Sequence, residues 1–365
     1  MRRTLACLFV ISSLAVVLPT AASAANPRNT TRPTGANRHL RVLQANVGNV
    51  DLGCSDAFYK LCYQDAENRI AGNIAAKSPD VVFLQEVLPD WVCRNGAAAG
   101  SNKVCLNYQT RAVRDQARRL LGWNYSIVCD WWHGWDCIAV KNSAGSVQND
   151  AWGRSCPPGY LCGSTTFSNG DSTATNEDPY FATYYAPYNS SSYDGGFHML
   201  YVDAVLNGVP MRLIDGHPQS GGTGSGSKEN ARKTQINEAF TVWASGASRV
   251  LMSGDMNLDP YRNGSDVSVV EWRNYVDNYS SSGVRTDKTY WYHSGVAENG
   301  GTWWPKYTTS YLWPISNYTY DQVISNFTYG TCATLDSSNS SSPAFRLDGG
   351  SGCDHRALDC DLWSY

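Results

Sequence analysis

The amino-acid sequence predicts a layered α/β domain, in which β-sheets are covered by α-helices. Two observations lead to this prediction. Short apolar runs of strand length alternate along the chain with longer stretches of helical pattern. Several of the runs, such as 81–84 and 250–252, are continuously apolar, which is typical of strands buried on both faces. Buried strands interleaved with helices indicate a layered α/β architecture.

Eight runs are predicted to be strands and three stretches to be helices. The strands, in chain order, are "LRVLQANV", "DVVFLQEV", "CIAVK", "FHMLYVDAVL", "MRLIDGH", "RVLMSGDMN", "YDQVIS" and "HRALDCDLW". The helices are "DAENRIAGNIAAK", "QTRAVRDQARRLL" and "ENARKTQINEAFTVWA". No internal repeat or interior linker interrupts this pattern, and "SGGTGSGSK" and "SSNSSSP" are predicted to be long surface loops. The pattern therefore predicts one domain over 39–365.

The first 24 residues have the pattern of a cleavable secretory signal peptide. Two arginines precede an apolar run over 5–18, and Ala22-Ser23-Ala24 supplies a small-residue cleavage site. The run is shorter than the ~20 apolar residues that span a membrane, and no other segment reaches that length. We therefore expect 1–24 to be removed, 25–38 to be a disordered leader, and the domain to be secreted as a soluble monomer without a transmembrane segment.

The cysteine content fits an oxidising compartment. The chain has 12 cysteines, and Cys7 leaves with the signal peptide. Proximity in sequence predicts disulfides that staple loops: Cys54 with Cys62, Cys93 with Cys105, Cys129 with Cys137, Cys156 with Cys162, and Cys332 with Cys353. Cys360 is then left over, and we expect it to be buried as a small apolar residue. No Cys-x-x-Cys pair is present, which argues against a zinc site.

Sequons of the type Asn-x-Ser/Thr predict a glycoprotein if the host modifies its exports. They begin at Asn29, Asn124, Asn189, Asn263, Asn278, Asn317, Asn326 and Asn339. In a chain this rich in Asn and Ser, several of them are expected by chance.

Polar residues end four of the predicted strands where packing does not require them. They are Asn46, Glu86, His217, and Asp255 with Asn257, and "GCDHRAL" adds Asp354 and His355 at the start of the last strand. Neighbouring strands that end at one edge of a sheet bring such side chains into one cleft, where α/β sheets usually bind ligands. Individually these residues could instead close turns or cap helices, since Asn and Asp favour both positions.

Carboxylate and amide oxygens without a cysteine suit Mg²⁺, or Mn²⁺ in its place. A metal that polarises a phosphoryl oxygen, with histidines nearby to move protons, is suited to phosphodiester hydrolysis. The sequence therefore predicts a secreted, metal-dependent phosphodiesterase.

Six ordered motifs also carry a family resemblance. "LQANV", "FLQEV", "DGHPQS", "SGDMN", "YDQV" and "CDHRAL" resemble the endonuclease/exonuclease/phosphatase superfamily, which includes deoxyribonuclease I and the bacterial-type sphingomyelinases. The resemblance covers about 40–361. It implies a four-layered α/β sandwich, with two mixed β-sheets face to face and helices outside.

The resemblance also implies roles for the site residues. Glu86 would be the principal metal ligand. Asn46 would assist the metal or contact the phosphate, and Asp354 would join the metal site. Asp255 would orient or deprotonate the attacking water, and Asn257 would hold a phosphate oxygen. His217 would bind the phosphate or protonate the leaving group, and Asp321 of "YDQV" would orient His355. This chain departs from the family's usual pattern at Cys353-Asp354-His355, where a serine is usual, and at Gly216-His217.

The sequence leaves two substrate classes open, nucleic acid and phospholipid headgroups. Nucleic acid is favoured by the deoxyribonuclease-like "YTYDQVIS" and by Arg111, Arg114, Arg118 and Arg119, which could contact phosphates or form a solvated helix face. The net charge of −3 gives no global attraction for nucleic acid. Phospholipid headgroups are favoured by the tryptophan clusters "DWWHGW" and "TWWP", although core packing explains tryptophans equally well. An inactive binding protein that retains the scaffold is a third alternative, against which the complete set of site residues argues.

Overall fold

A computed structural model gives the structure of the chain over part of its length. It describes residues 34–47, 64–87, 104, 112–129, 136–148, 161–163, 199–221, 225–260, 265–280, 283–285, 288–293, 296–299, 302–305, 309–312, 315–318, 320–335, 355 and 357–365. The predicted signal peptide lies outside these ranges. Part of the predicted leader lies inside them, since Ala36 is buried and the first strand begins at Arg38.

Four α-helices are present in the described part of the chain. They are α1 (Gln64–Lys77), α2 (Ala112–Leu121), α3 (Ser227–Glu238) and α4 (Val267–Tyr275). The third predicted helix is not a single α-helix, because α3 passes into a π-helical turn over Ala239–Trp243. Helix α4 was not predicted, since its valine-rich start favours a strand. The Asp266 side chain caps α4 by accepting a hydrogen bond from the Ser268 backbone N–H.

The strands are numbered in chain order. They are β1 (Arg38–Asn46), β2 (Val81–Gln85), β3 (Tyr125–Cys129), β4 (Cys137–Lys141), β5 (Gly145–Val147), β6 (Leu161–Gly163), β7 (Met199–Leu206), β8 (Val209–Gly216), β9 (Val250–Asp255), β10 (Asn278–Ser280), β11 (Gly283–Arg285), β12 (Trp291–Tyr292), β13 (Val296–Asn299), β14 (Thr302–Pro305), β15 (Thr309–Leu312), β16 (Ile315–Tyr318), β17 (Asp321–Ser325), β18 (Tyr329–Thr334) and β19 (Leu358–Ser364). All eight predicted strands are confirmed.

Two mixed sheets contain most of these strands. Sheet I has seven strands in the order β18-β19-β1-β2-β4-β3-β6, and sheet II has six in the order β12-β17-β9-β8-β7-β5. The pairs β1–β2 and β8–β9 are parallel, whereas β9–β17 and β1–β19 are antiparallel. The hairpins β10–β11, β13–β14 and β15–β16 form separate two-stranded sheets.

Three apolar clusters show how the layers are stacked. The inner faces of the two sheets meet in one cluster, to which Val42 and Phe83 contribute from sheet I and Leu213 and Leu251 from sheet II. A second cluster joins the outer face of sheet I to α1 and α2, and a third joins the outer face of sheet II to α3 and α4. Helices, sheet, sheet and helices therefore follow one another, which confirms the predicted four-layered sandwich.

Two disulfides lie within the described residues, and one of them corrects a prediction. The predicted pair Cys129–Cys137 is present. Cys332, however, is bonded to Cys360 and not to Cys353. The two half-cystines are directly opposite each other on the antiparallel strands β18 and β19, and both are buried. Cys360 is therefore not a free thiol. The other predicted pairs lie wholly or partly outside the described residues.

Within the described residues, no helix is long and apolar enough to cross a membrane.

Candidate active site

The polar strand ends of both sheets meet at one edge of the sandwich. Parallel pairing of β1 with β2 places Asn46 beside Gln85, which Glu86 follows. Parallel pairing of β8 with β9 places Gly216, and hence the start of the His217 loop, beside Gly254. These ends come together because the inner faces of the two sheets pack against each other.

Asn46 joins the two carboxylates that form the centre of the site. Its Nδ2 donates to Glu86 Oε1 at 3.1 Å and to Asp255 Oδ2 at 3.0 Å. All three side chains are buried, with Glu86 only 4 % and Asp255 only 2 % exposed. We call Glu86 and Asp255 the carboxylate cluster. It combines residues from both sheets.

His217 lies between two carboxylates, Glu86 on its Nε2 side and Asp136 on its Nδ1 side. Its Nε2 is 3.5 Å from Glu86 Oε1, and its Nδ1 is 3.3 Å from Asp136 Oδ1. Asp136 is 1 % exposed and immediately precedes β4. Sequence reasoning missed Asp136, although a carboxylate directly before the apolar run "CIAVK" was a usable signal. We call these two residues the His217–Asp136 pair.

His355 lies on the other side of the carboxylate cluster. Its Nδ1 is 2.9 Å from Asp321 Oδ2, so the predicted contact between these residues is present. Its Nε2 is 3.4 Å from Asp255 Oδ2. A carboxylate on Nδ1 fixes the orientation of the ring and leaves Nε2 to exchange protons at the site. We call these residues the His355–Asp321 pair.

Asn257 ties the loop after β9 to the loop after β8. Its Nδ2 donates to the Pro218 carbonyl oxygen at 2.9 Å, and its backbone N–H donates to Asp255 Oδ1 at 2.9 Å. The φ angles of Asn257 and Glu86 are +49° and +59°, a left-handed conformation that is uncommon for residues other than glycine. Such strained positions cluster at functional sites, where the surrounding structure enforces them.

Gly254 allows β9 to approach β8 closely just before the site. Gly254 has φ +144°, and a Cβ placed on it would lie 2.0 Å from the Gly216 carbonyl oxygen. A side chain at this position would push the two strands apart. The glycine in "SGDMN" therefore determines the distance between the His217 loop and Asp255.

The donor atoms of the site fit a divalent cation. One donor atom each from Glu86, His217 and Asp255 lies within 4.8 Å of the other two. Two buried carboxylates that converge in this way repel each other unless a cation or a proton lies between them. Carboxylate oxygens with an amide alongside suit Mg²⁺ or Mn²⁺.

A second layer of polar side chains lies beneath the site between the sheets. Gln44 Nε2 donates to Gln85 Oε1 at 2.8 Å and to Asp321 Oδ1 at 2.7 Å. Gln85 Nε2 donates to Asp215 Oδ1 at 2.6 Å. Burial, reinforced by the nearby charge of Asp136, raises the pKa of Asp215 well above its usual range. Burial therefore favours the neutral form of the Asp215 carboxyl group.

Sequence reasoning missed this layer, although strand periodicity could have indicated it. Side chains two residues apart on a strand share a face. Gln44 precedes Asn46 by two residues, and Asp215 precedes His217 by two. Polar residues at both positions of one face are unusual in a buried strand.

Some predicted site residues lie outside the described part of the chain, or are engaged elsewhere in it. Asp354 and Cys353 are outside, as are Arg111, the side chain of Arg114 and the "DWWHGW" cluster. Arg118 donates to the Gly122 and Tyr125 carbonyl oxygens, and its guanidinium lies 4.5 Å from the centre of the Trp123 ring. Arg119 forms an ion pair with Glu67. Arg118 therefore satisfies carbonyl oxygens just after α2, and Arg119 joins α2 to α1.

No family model matches the sequence, and no curated protein matches it. Solved structures do resemble the chain. Danio rerio TDP2 complexed with a single-stranded DNA product is 13% identical, with 89% of this chain and 99% of that chain covered and a TM-score of 0.49. Beta toxin 275-280 from Staphylococcus aureus is 14% identical over 88% of this chain and 99% of that chain, with a TM-score of 0.48. An endonuclease/exonuclease/phosphatase family protein from Bacteroides thetaiotaomicron is 11% identical over 90% of this chain and 96% of that chain, with a TM-score of 0.48.

Proposed function

We propose that the chain is a divalent-metal-dependent phosphodiesterase. The observation that carries the proposal is that two histidine–carboxylate pairs flank one carboxylate cluster. The His217–Asp136 pair lies 3.5 Å from Glu86, and the His355–Asp321 pair lies 3.4 Å from Asp255. Phosphodiester hydrolysis needs both a proton acceptor for the attacking water and a proton donor for the leaving oxygen, and this arrangement offers both.

The residues divide the reaction between them. Asp255 orients a water molecule and takes its proton as the new oxygen–phosphorus bond forms. His217 Nε2 gives a proton to the leaving oxygen as the old oxygen–phosphorus bond breaks. Asn257 holds a phosphate oxygen, and the His355–Asp321 pair donates to the developing negative charge. Held by Glu86 with Asn46 and Asp354 beside it, the metal would supply Lewis-acid polarisation of the phosphoryl oxygen.

Hydrolysis of bis-p-nitrophenyl phosphate tests this function without assuming a natural substrate. We expect turnover with Mg²⁺ or Mn²⁺, no turnover in excess EDTA, and recovery when the metal is restored. A matched Glu86→Gln variant should remain folded but need far more metal. Activity that persists in EDTA would refute the metal assignment.

Nucleic acid is the first substrate class to test. It is supported by the resemblance of "YTYDQVIS" to a segment of deoxyribonuclease I. The aspartate in this segment is Asp321, which contacts His355. The support from α2 is weaker than the sequence suggested, because Arg118 and Arg119 are engaged within the protein.

Phospholipid headgroups are the second candidate. Trp303 and Trp304 of "TWWP" lie on β14, which pairs with β13 in a two-stranded sheet separate from the two main sheets. Tryptophan is favoured at the headgroup level of bilayers. A hairpin that contains two tryptophans would suit a phosphodiesterase whose substrate is held in a membrane surface.

One parallel assay distinguishes these two classes. Plasmid nicking and headgroup release from sphingomyelin liposomes should be measured with the same protein and the same Mg²⁺ concentration. Nicking with intact liposomes supports the nuclease. Headgroup release with intact plasmid supports the lipid-directed enzyme, and loss of that release in a Trp303→Ala/Trp304→Ala variant, with bis-p-nitrophenyl phosphate turnover retained, would assign the hairpin to membrane contact.

The proposal includes secretion. The signal-like N-terminus and the disulfides Cys129–Cys137 and Cys332–Cys360 support it, because disulfides persist in oxidising compartments. N-terminal sequencing of protein from the culture medium should find the mature chain starting after Ala24. A chain recovered only from cell lysate with its N-terminus intact would contradict secretion.

A further inference from the structure

A chain of buried hydrogen bonds leads away from His355 into the interior. His355 Nδ1 contacts Asp321 Oδ2 at 2.9 Å, and Asp321 Oδ1 accepts from Gln44 Nε2 at 2.7 Å. The same nitrogen donates to Gln85 Oε1 at 2.8 Å, and Gln85 Nε2 donates to Asp215 at 2.6 Å. Gln44, Gln85, Asp215 and Asp321 are all fully buried. The chain thus crosses from sheet II to sheet I and back.

The direction of these hydrogen bonds is set by Gln44. An amide nitrogen has two hydrogens, and Gln44 uses one toward Asp321 and one toward Gln85. With His355 on its other oxygen, the Asp321 carboxylate accepts on both sides. Gln44 Oε1 accepts no hydrogen bond from the described residues. Burying an unpaired amide oxygen costs about 1–3 kcal/mol, so a purely space-filling role would be better served by an apolar side chain.

We propose that Gln44 is a positioning residue, whose amide fixes the Asp321 carboxylate that orients His355 and links it through Gln85 to Asp215, on the strand that leads to His217. In this arrangement one continuous network holds the His355–Asp321 pair and reaches Asp215, two residues before His217 on the chain. Gln44 touches neither substrate nor metal and acts only through Asp321 and Gln85. The inference rests on the proposed phosphodiesterase function, which it deepens.

The loss of one donor from a buried network of this kind is costly, because the remaining polar groups are left without partners. If Gln44 becomes methionine, the shape of the side chain is nearly retained but both donors are lost. Asp321 then keeps one partner in a low-dielectric interior, and its carboxylate has to rotate or recruit another donor. Either response moves the ring of His355, because Asp321 is the group bonded to Nδ1. Gln44→Glu retains the length of the side chain and replaces the donors by acceptors, so it should be at least as harmful.

Steady-state kinetics with a matched control test the proposal. Gln44→Met should lower kcat by ~10-fold or more with KM nearly unchanged, as loss of an outer partner typically does. The control is Gln116→Met, which removes an equally buried glutamine that donates to Glu67 in the outer helix layer. It should leave kcat unchanged. Equal losses in both variants, or full kcat in Gln44→Met, would overturn the proposal.

A double-mutant cycle then asks whether Gln44 acts through His355. In a His355→Ala background the additional effect of Gln44→Met should disappear, because interacting residues are non-additive. An undiminished effect in that background would show that Gln44 acts by another route and would refute the proposal.

A spectroscopic measurement separates this inference from the proposed function. In ¹⁵N-histidine-labelled protein, the His355 resonances are assigned by their absence in His355→Ala. The metal-free native chain should show one set of His355 signals with Nδ1 protonated, and Gln44→Met should shift that set or split it. Unchanged His355 signals in Gln44→Met would overturn the positioning role. If the native chain hydrolyses no phosphodiester, the proposed function fails while this readout still decides the role of Gln44.

Discussion

Asp255 and Asp321 are directly opposite each other on the antiparallel strands β9 and β17, and the His355 imidazole contacts both. Two carboxylates in cross-strand register repel each other. A proton or a cation between them removes the repulsion, and His355 carries its nitrogens at 2.9 Å from Asp321 and 3.4 Å from Asp255. The strand register therefore places two carboxylates beside His355, where a protonated imidazole ring is favoured.

The first prediction concerns the two histidines of the site. His355→Ala and His217→Ala should each lower the turnover of bis-p-nitrophenyl phosphate by ~10²-fold or more, because general acid–base groups contribute 10² to 10⁴. Circular dichroism should show an unchanged fold. The control is His39→Ala, which removes a partly exposed histidine paired with Asp361 and should change kcat little. A large loss for His39→Ala with none for His355→Ala would show that the site is misassigned.

The second prediction concerns the close approach of β8 and β9. Gly254→Ala should destabilise the protein by about 3 kcal/mol or more, since it adds a Cβ at φ +144° against the Gly216 carbonyl. Gly72→Ala is the control: it lies on α1 with nothing within 4 Å of the added Cβ, and it should stabilise by roughly 0.5–1 kcal/mol. Urea unfolding measures both changes. A Gly254→Ala protein as stable as the native one would contradict the packing described for these strands.

The third prediction follows from the raised pKa of Asp215. The folded protein holds a proton on Asp215 at pH values where the unfolded chain, with a carboxyl pKa of about 3.9, has lost it. The stability contribution of this group is therefore complete below about pH 4 and declines as the pH rises toward the folded pKa.

Asp215→Asn removes this titration while keeping the shape and an acceptor for Gln85. In metal-free protein, its free energy of unfolding relative to the native chain should increase from pH 4 to pH 8. Chemical denaturation at several pH values measures the difference. A difference that is constant with pH, or that decreases as the pH rises, would show that Asp215 is ionised in the fold.

The fourth prediction concerns the disulfide of sheet I. Peptide mapping under non-reducing conditions should find Cys332 linked to Cys360. Replacing both by serine should cost about 3–4 kcal/mol, the loop-closure estimate for a sequence separation of 28 residues. A Cys332–Cys353 peptide would instead restore the pairing expected from sequence proximity.

The site residues differ in how far they could be predicted. Asn46, Glu86, His217 and Asp255 were predictable, because each interrupts an apolar strand at its end, where packing gives no reason for a polar group. Asp136 directly precedes β4 and Gln85 is the last residue of β2, so their positions give a weaker signal than a polar residue that follows an apolar run. Their role appears only from contacts: Asp136 with His217, and Gln85 with Gln44 and Asp215.

The sequence by itself determined the alternation of strands and helices and the chemistry gathered at the strand ends, since apolar periodicity and the ends of buried runs are local properties. The tertiary structure alone decided which groups are partners. Gln44 and Asp321 are 277 residues apart, and Cys332 bonds Cys360 because β18 and β19 pair in a particular register. Such contacts depend on how two sheets pack and on which residue of a strand faces which residue of its neighbour. Neither quantity is encoded in the spacing of residues along the chain.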